Sequence, residues 1–283
     1  MMTFKKRFLA SCLLSCALTA QANETFNVCA DPVNPPYSTK NQDGFENKIA
    51  ALFADELKQT LQYTWFPQRI GFIRNTLTAP RKDDAVDSQE FKCDVVMGLP
   101  EGYDQALTTN AYYRSSYVLL VAKGRGWDDI TDPKQLIDLP LTRQQALKIA
   151  MFDRGPGTQW LQTIGLLDQG IPYQSMSGDS EQNVAMQLDA DLQAKKIDMV
   201  VLWGPMAAYI ANQHRGAYTL LTMPQLTGIR FDFAMALGVR RGDKERKALL
   251  NKLIASKQAE IAAIMKSYGV PLLPLLPKTQ AEK

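Results

Sequence analysis

The sequence predicts an α/β fold of two lobes that are joined by a two-stranded hinge. Short apolar strand patterns alternate with amphipathic helical patterns along the chain, which is typical of α/β domains with parallel sheets. Two segments, at about residues 122–126 and 223–230, suit the points where the chain leaves its first lobe and returns to it. We therefore expect a ligand cleft between the lobes, where the strand ends of both sheets face each other.

Residues 1–22 predict a secretory signal peptide. A basic start is followed by an apolar run at residues 8–20, which is short for a membrane span, and Ala20-Gln21-Ala22 forms an A-x-A cleavage site. We expect the mature chain to begin at Asn23 and to keep no membrane segment. An N-terminal membrane anchor and a lipoprotein-like box that ends at Cys16 are the alternatives.

The predicted strands are short runs of apolar and β-branched residues, bounded by turn residues. They lie at residues 25–30, 61–66, 93–99, 117–122, 148–152, 197–203, 218–223 and 232–239. The Pro-rich segment 31–38 after the first strand cannot continue a helix or a strand. Most of the remaining segments between these strands are long enough for helices.

The predicted helices rest on apolar positions spaced three or four residues apart and on capping residues. Phe45, Ile49 and Phe53 share one face of the first helix, Asp132 caps a helix that starts at Pro133, and Asp243 caps a long last helix that breaks near residue 256 or 257. The other helices are predicted at residues 72–77, 154–168, 184–192 and 205–214. This order assigns residues 23–122 plus 227–283 to lobe 1 and residues 123–226 to lobe 2.

Charge and cysteine content limit the partners and the compartment. Residues 1–22 hold three basic residues and no acid, so the rest of the chain has 29 basic and 29 acidic residues. Because nucleic-acid binding needs a basic face, we expect no nucleic-acid partner. Cys29 and Cys93 remain after cleavage, and a pair in an exported protein indicates one disulfide. Two separate buried thiols are the alternative.

Several stretches of the chain together resemble one known family. They read FNVCADPVNPPYS, GFENKIAALFADEL, YTWFPQR, GFIRNTL, CDVVMGLPEGYD, TTNAYYRSSYV and DDITDPKQL. These stretches are similar to the MxaJ/XoxJ family, periplasmic solute-binding-like proteins associated with quinoprotein dehydrogenases. The resemblance covers nearly the whole mature chain and implies a type II-like periplasmic-binding-protein fold and a periplasmic location.

The same resemblance implies a function. We expect a non-catalytic, monomeric accessory protein of the methanol oxidation system that binds the pyrroloquinoline-quinone (PQQ) methanol dehydrogenase or assists its maturation or activation. The alternative is the substrate-binding protein of an ABC transporter for a small uncharged or weakly anionic solute. We expect no enzyme, bound cofactor or metal. The sequence lacks the G-x-S-x-G, H-E-x-x-H and P-loop motifs, and its one histidine, His214, ends a predicted helix.

Two loops at strand ends depart from the pattern of amino-acid receptors of this fold. Such receptors carry an Arg after the strand at 93–99 and an Asp after the strand at 197–203, where this chain has Gly102-Tyr103 and Trp203-Gly204. Without that charged pair we expect no tight amino-acid binding. The candidate cleft residues near these strand ends are Tyr37, Gly98, Pro100, Tyr103, Trp203 and Gly204. For the aromatic residues, a place in the core or at the rim is the alternative.

Two further segments have two interpretations each. Gly157 and Thr158 at a predicted helix start, with Arg154 nearby, offer backbone N–H groups to an anion, although a plain helix start explains the same residues. The polar segment 79–92 is longer than most connections and is either a solvated loop or a partner surface.

Overall fold

The computed structural model describes residues 24–81, 90–175 and 181–276, and contains eight α-helices and eleven strands in that part of the chain. The predicted signal peptide and residues 82–89 of the 79–92 segment lie outside the described residues. The α-helices are α1 Phe45–Leu57, α2 Phe72–Asn75, α3 Leu141–Gln145, α4 Pro156–Thr163, α5 Val184–Gln193, α6 Gly204–Gln213, α7 Lys244–Ser256 and α8 Gln258–Ser267. No helix in these ranges combines the length and the apolar character that a bilayer span needs.

The strands form one large mixed sheet and one small hairpin. They are β1 Thr25–Ala30, β2 Val33–Asn34, β3 Ser38–Thr39, β4 Thr60–Trp65, β5 Val95–Pro100, β6 Leu107–Ala122, β7 Ile149–Phe152, β8 Gly170–Tyr173, β9 Met199–Trp203, β10 Tyr218–Thr222 and β11 Asp232–Val239. The large sheet has the order β4-β1-β5-β11-β6-β9-β7-β8, with β10 also paired to β6, and β2 pairs with β3. The α/β class and the two-lobed binding-protein architecture are confirmed.

Strand β6 joins the two halves of this sheet. Its first part, up to Ser116, pairs antiparallel with β11, and its second part, from Tyr117, pairs antiparallel with β9 and β10. At the change of partner the Tyr117 backbone N–H donates to the Phe231 carbonyl at 2.7 Å, and Arg114 forms an ion pair with Asp232 at 2.7 Å. The returning strand β11 therefore lies beside the outgoing strand at the hinge. The domain boundaries at 122/123 and 226/227 stay predictions.

Each half of the sheet has its own hydrophobic core. In lobe 1, helices α1, α7 and α8 cover the sheet with fully buried side chains; these include Ile49, Phe53, Leu237, Leu250 and Ile261. In lobe 2, buried side chains lie on both faces of the sheet; these include Leu119, Leu120, Ile149, Trp160, Met199 and Leu202. Two separate cores, linked through the β-strands, let each lobe keep its packing if the cleft changes shape.

A disulfide joins Cys29 at the end of β1 to Cys93 just before β5, with 5.4 Å between the two Cα atoms. The pairing of the two cysteines is thus confirmed. Both are buried, and they share a small cluster with Leu77 and Phe72. Arg240 closes the same region, because its guanidinium donates to the Cys93 carbonyl at 2.6 Å and to Asp94 at 2.7 Å.

Several elements differ from the sequence prediction. The short strands β2 and β3 lie in and beside the Pro-rich segment 31–38, which was expected to continue neither a helix nor a strand, because two residues suffice for each side of a small hairpin. Helix α3 was not predicted, and the helix predicted at Pro133 is a short 3-10 helix, Pro133–Leu136.

Strand β6 begins at Leu107, ten residues before the predicted start, and β8 was not predicted. The first part of β6 carries Thr, Asn, Arg and Ser, whose polar side chains hide the strand pattern, but Thr108, Thr109 and Ser115 are buried between neighbouring elements. Strand β8 has only four residues and contains Gly170 and Pro172, which are rare in strands. Both strands form because neighbours in the sheet supply their partners.

Candidate ligand-binding cavity between the lobes

A cavity of about 370 Å³ lies between the lobes, at the ends of β5 and β9. Its volume suits a small organic ligand. It is lined by Asp31, Val33, Asn34, Tyr37, Glu46, Pro67, Gln68, Met97, Gly98, Pro100, Tyr117, Phe152, Ser175, Gln182, Asn183, Val184, Trp203, Met206, Phe233 and Met235. Most of these side chains are aromatic or aliphatic, so the cavity is apolar with a few polar groups.

The charged side chains that line the cavity are both acidic. Within residues 24–81, 90–175 and 181–276, no Lys, Arg or His reaches the lining, and Asp31 and Glu46 are its only ionisable acids. The Asp31 carboxylate already accepts hydrogen bonds from the backbone N–H groups of Val33 at 2.7 Å and Gln68 at 2.5 Å. Glu46 is therefore the acid that remains for a ligand.

Glu46 is held in place by the start of helix α1 and by the end of β5. The Asn47 side-chain oxygen accepts from the backbone N–H groups of Gly44 at 3.2 Å and Thr39 at 3.0 Å, which fixes the first turn of the helix. Gly98 has a φ of +68°, and a Cβ atom there would lie 2.3 Å from Glu46 Oε1. A side chain at position 98 would therefore push the carboxyl group out of its place.

Burial raises the pKa of the Glu46 carboxyl from 4.5 to about 8. The neighbouring Tyr112 hydroxyl acts in the opposite direction but does not offset this effect. A position in the first turn of a helix ordinarily favours a charged acid. Here the loss of water around the carboxylate is larger, and no basic side chain compensates for it. The acid is therefore largely protonated at neutral pH.

Aromatic rings also line the cavity, and three of them form a wall at the hinge. Tyr117, Trp203 and Phe233 contact one another, with ring centroids 5.5 to 6.3 Å apart, and all three line the cavity. Tyr37 also lines the cavity, and burial raises the pKa of its hydroxyl well above 10. These rings give the cavity a polarisable, apolar surface.

Asn183 links the two lobes at the edge of the cavity. Its side-chain N–H₂ group donates to Asn34 Oδ1 at 3.1 Å and to the Pro35 carbonyl at 2.8 Å. Its side-chain oxygen accepts from the backbone N–H of Met186 at 3.0 Å and so caps helix α5. One side chain thus starts a lobe 2 helix and holds that helix against the first loop of lobe 1.

Replacing Asn183 with Asp should open the cleft without weakening helix α5. Asp caps a helix as well as Asn does, but it cannot donate to Asn34 or Pro35. Two lost hydrogen bonds of about 1 kcal/mol each should shift the closed–open equilibrium by roughly tenfold or more toward the open form. Small-angle X-ray scattering or fluorescence transfer between labels on the two lobes measures the shift.

Asn183→Ala is the comparison for this experiment, since it removes the cap and the interlobe bonds together. It should open the cleft equally and also lower the melting temperature. Unchanged scattering from Asn183→Asp would show that these two hydrogen bonds do not hold the lobes together.

The chain also has relatives among known proteins. Periplasmic binding protein XoxJ from Methylobacterium extorquens AM1 has 33% sequence identity and a TM-score of 0.68, over 88% of this chain and 100% of that chain. The chain belongs to the XoxJ family of periplasmic binding proteins. Protein MoxJ from Methylorubrum extorquens strain AM1 is 28% identical over 265 residues, which is 89% of this chain and 82% of the relative.

A second solved structure supports the fold. MxaJ from Methlophaga aminisulfidivorans MPT has a TM-score of 0.70 at 24% identity, over 88% of this chain and 100% of that chain. No family model matches the chain. The family resemblance predicted from the sequence stretches is confirmed.

The structure brings some of the predicted cleft residues together and places others elsewhere. Tyr37, Gly98, Pro100 and Trp203 line the cavity, from the first loop of lobe 1 and from the ends of β5 and β9. Tyr103 lies outside the lining and contacts the buried cluster around the disulfide.

The remaining predicted site residues also lie outside the lining. Gly204 is packed at the hinge, where a Cβ atom would lie 2.5 Å from Pro271 Cγ. A Cβ atom at Gly157 would lie 2.9 Å from Val201 Cβ, the Thr158 hydroxyl donates to the Phe152 carbonyl, and Arg154 is exposed to solvent. The residues at the start of helix α4 therefore pack within lobe 2 and do not line the cavity.

The charged pair that clamps amino acids has no equivalent in the lining. Arg114, the first arginine after β5, forms its ion pair with Asp232 across the hinge strands. The end of β9 offers the Trp203 ring to the cavity. An amino acid would therefore find no cation for its carboxylate here, and the expected lack of tight amino-acid binding stays a prediction.

Most of the cavity lining was missed in the sequence, and the two missed residues with the clearest chemical roles are Glu46 and Asn183. Glu46 occupies the first turn of a helix, where acids are common for electrostatic reasons, so its residue type carried no signal. Asn183 has the ordinary appearance of a helix cap. Its link to lobe 1 joins residues about 150 positions apart and has no local pattern.

Proposed function

We propose that this chain is a non-catalytic periplasmic binding protein of the methanol oxidation system that acts beside the PQQ methanol dehydrogenase, by binding it or assisting its maturation. Membership of the XoxJ family supports this place. The observation that carries the proposal is the lining of the interlobe cavity, whose described residues include no cation and thus no clamp for the carboxylate of an amino acid. The chain keeps the two-lobed fold of a solute receptor, while the described cavity residues lack the charged pair by which amino-acid receptors hold their ligand.

The described residues offer little chemistry for catalysis. His214, the one histidine of the chain, pairs with Asp189 at 2.9 Å and lies outside the cavity lining. Among the described residues, the hydroxyl groups near the Glu46 carboxyl belong to tyrosines, and burial raises the pKa of the Tyr37, Tyr112 and Tyr113 hydroxyls well above 10, so they are poor nucleophiles. This arrangement supports a binding role.

The C-terminal segment offers a surface for a protein partner. Its backbone is held at the hinge, since Leu273 N–H donates to the Arg114 carbonyl at 2.8 Å and Ser115 donates to the Pro271 carbonyl at 2.6 Å. Leu272, Leu275 and Leu276 are nevertheless exposed, with 68% of Leu276 accessible. Large apolar side chains on a firmly held segment are typical of contact surfaces.

The proposal is tested by titrating residues 23–283 into purified methanol dehydrogenase, in its apo and holo forms, by calorimetry. We expect saturable binding at or below tens of micromolar, stronger to one form than to the other. Leu276→Ser should weaken binding at least fivefold, because it removes an exposed apolar contact. Leu141→Ser is the matched control, since Leu141 is also 68% exposed but lies in lobe 2.

Absence of binding to both forms would refute the proposal. If Leu276→Ser and Leu141→Ser weaken binding equally, the C-terminal segment is not a specific contact surface, although the dehydrogenase is still a partner.

A second candidate function, the substrate-binding protein of an ABC transporter, is favoured by the cavity between the lobes. An uncharged or cationic solute fits this lining better than the weakly anionic solute that was the other expectation from the sequence, because the charged side chains among the described lining residues, Asp31 and Glu46, are acidic. Melting of the protein with a panel of metabolites tests this function. A ligand present at about 100 times its Kd should raise stability by about 2.7 kcal/mol.

A further inference from the structure

We propose that the interlobe cavity is a binding site for a small organic ammonium ion, with Glu46 as its counterion and the rings of Tyr37, Tyr117, Trp203 and Phe233 as its walls. This goes beyond the proposed function and does not depend on it, because a ligand site between the lobes is compatible with a partner on the outer surface.

The first argument is the unmatched charge of the cavity. Glu46 faces the cavity, and the groups packed near its carboxyl are phenols: Tyr37 in the first loop, Tyr63 on β4, and Tyr112 and Tyr113 on β6. No Lys, Arg or His of the described ranges lies in the lining. A half-buried acid without a cation nearby is costly to ionise, and a ligand that brings a positive charge offsets part of this cost.

The second argument is the aromatic surface beside the acid. Ring faces attract cations through their quadrupole, most strongly for Trp and Tyr and where water is excluded. Trp203 is 7% exposed, and its contacts with Tyr117 and Phe233 make one continuous wall. The apolar body of an organic amine would pack on this wall while its ammonium group contacts Glu46.

The third argument is the polar rim. Asn34, Asn183, Ser175 and Gln182 line the cavity on the side where Asn183 joins the lobes. The Ser175 hydroxyl oxygen, and the second lone pair of the Asn34 side-chain oxygen that already accepts from Asn183, can accept hydrogen bonds from ammonium N–H groups that the carboxylate does not use. Among the described lining residues an anion would meet two carboxyl groups and no positively charged side chain, so this lining disfavours an anion.

The site predicts that ligand binding is coupled to the release of a proton. With a pKa of about 8, Glu46 is about nine-tenths protonated at pH 7, and an ammonium ion binds to the ionised form. Binding at pH 7 should therefore release about 0.9 proton per ligand. The apparent affinity should rise about fivefold from pH 7 to pH 8, because the ionised fraction rises by that factor.

The test uses two probes that differ in charge, 2-phenylethylammonium and 2-phenylethanol. Calorimetry of the whole mature chain, in two pH 7 buffers of different ionisation enthalpy, measures affinity and proton release together. We expect the ammonium to bind at least tenfold more tightly than the alcohol. Glu46→Gln should abolish this preference and the proton release, while Glu245→Gln, an exposed acid on α7, should leave both unchanged.

Three results would overturn the proposal: no binding of the ammonium at millimolar concentration, equal affinity for the alcohol, or tight ammonium binding that survives in Glu46→Gln. Melting temperatures of both variants, measured first, show that each is folded. The ammonium titration contains no dehydrogenase, so its failure would not count against the proposed dehydrogenase partner. Failure of the dehydrogenase titration would likewise not count against the ammonium site.

Discussion

Replacing Cys29 and Cys93 together with Ala should lower the free energy of unfolding by about 4 kcal/mol. The disulfide closes a loop with a sequence separation of 64 residues, and a cross-link over that distance restricts the unfolded chain strongly in the chain-entropy model. Equilibrium unfolding in urea measures the change. We expect the midpoint to fall, and the slope to rise as the unfolded chain expands.

The surroundings of the disulfide in the folded protein give no reason to expect a smaller loss of stability. Both cysteines are at most 2% exposed and lie at neighbouring parallel strands, β1 and β5, which the disulfide holds side by side. The control is wild-type protein whose disulfide has been reduced and whose thiols are left unmodified, since it differs from the oxidised protein only in the disulfide bond. Equal midpoints for the oxidised and reduced protein would show that the disulfide contributes nothing to stability.

Replacing Glu46 with Gln should make the protein more stable than wild type at alkaline pH and should change little in acid. The pKa of Glu46 is raised from 4.5 to about 8 in the folded protein, so the folded state holds its proton more tightly than the unfolded state does. The favourable contribution is fully present below about pH 4.5 and is lost as the pH rises toward 8. Gln does not ionise and avoids this loss.

The expected size of the difference at pH 8.5 is about 2 to 4 kcal/mol, since each pKa unit corresponds to about 1.4 kcal/mol and the cavity side of the carboxyl is partly solvated. Melting temperature, followed from pH 5 to pH 8.5, measures it. The control Glu245→Gln should follow the wild-type curve. Parallel curves for wild type and Glu46→Gln across this range would show that burial does not penalise the Glu46 carboxylate.

The element order of the fold was largely predictable because it depends on local patterns. The apolar face of α1, the cap at Asp243 and the break between α7 and α8 all lie within a few residues, and the structure has them where they were predicted. The first part of β6 was not predictable, since its Thr108, Thr109 and Ser115 look like surface residues in the sequence. They are buried because strand β11 and the C-terminal segment pack against this part of β6.

The sequence by itself determined the two-lobed α/β class and the two cysteines available for a disulfide, because each follows from residue types at known positions along the chain. Only the tertiary structure decided which of those positions face the cavity. Gly98 and Trp203 reach it, while Thr158 and Tyr103 turn to their own lobes.

The acidic character of the site was also decided by the tertiary structure. Glu46 is one of many acids in the sequence, and it becomes distinctive only where a glycine at position 98 and several tyrosines remove its water and no basic side chain replaces it. Desolvation depends on residues that are distant along the chain and close in space, so no local pattern in the sequence reports it.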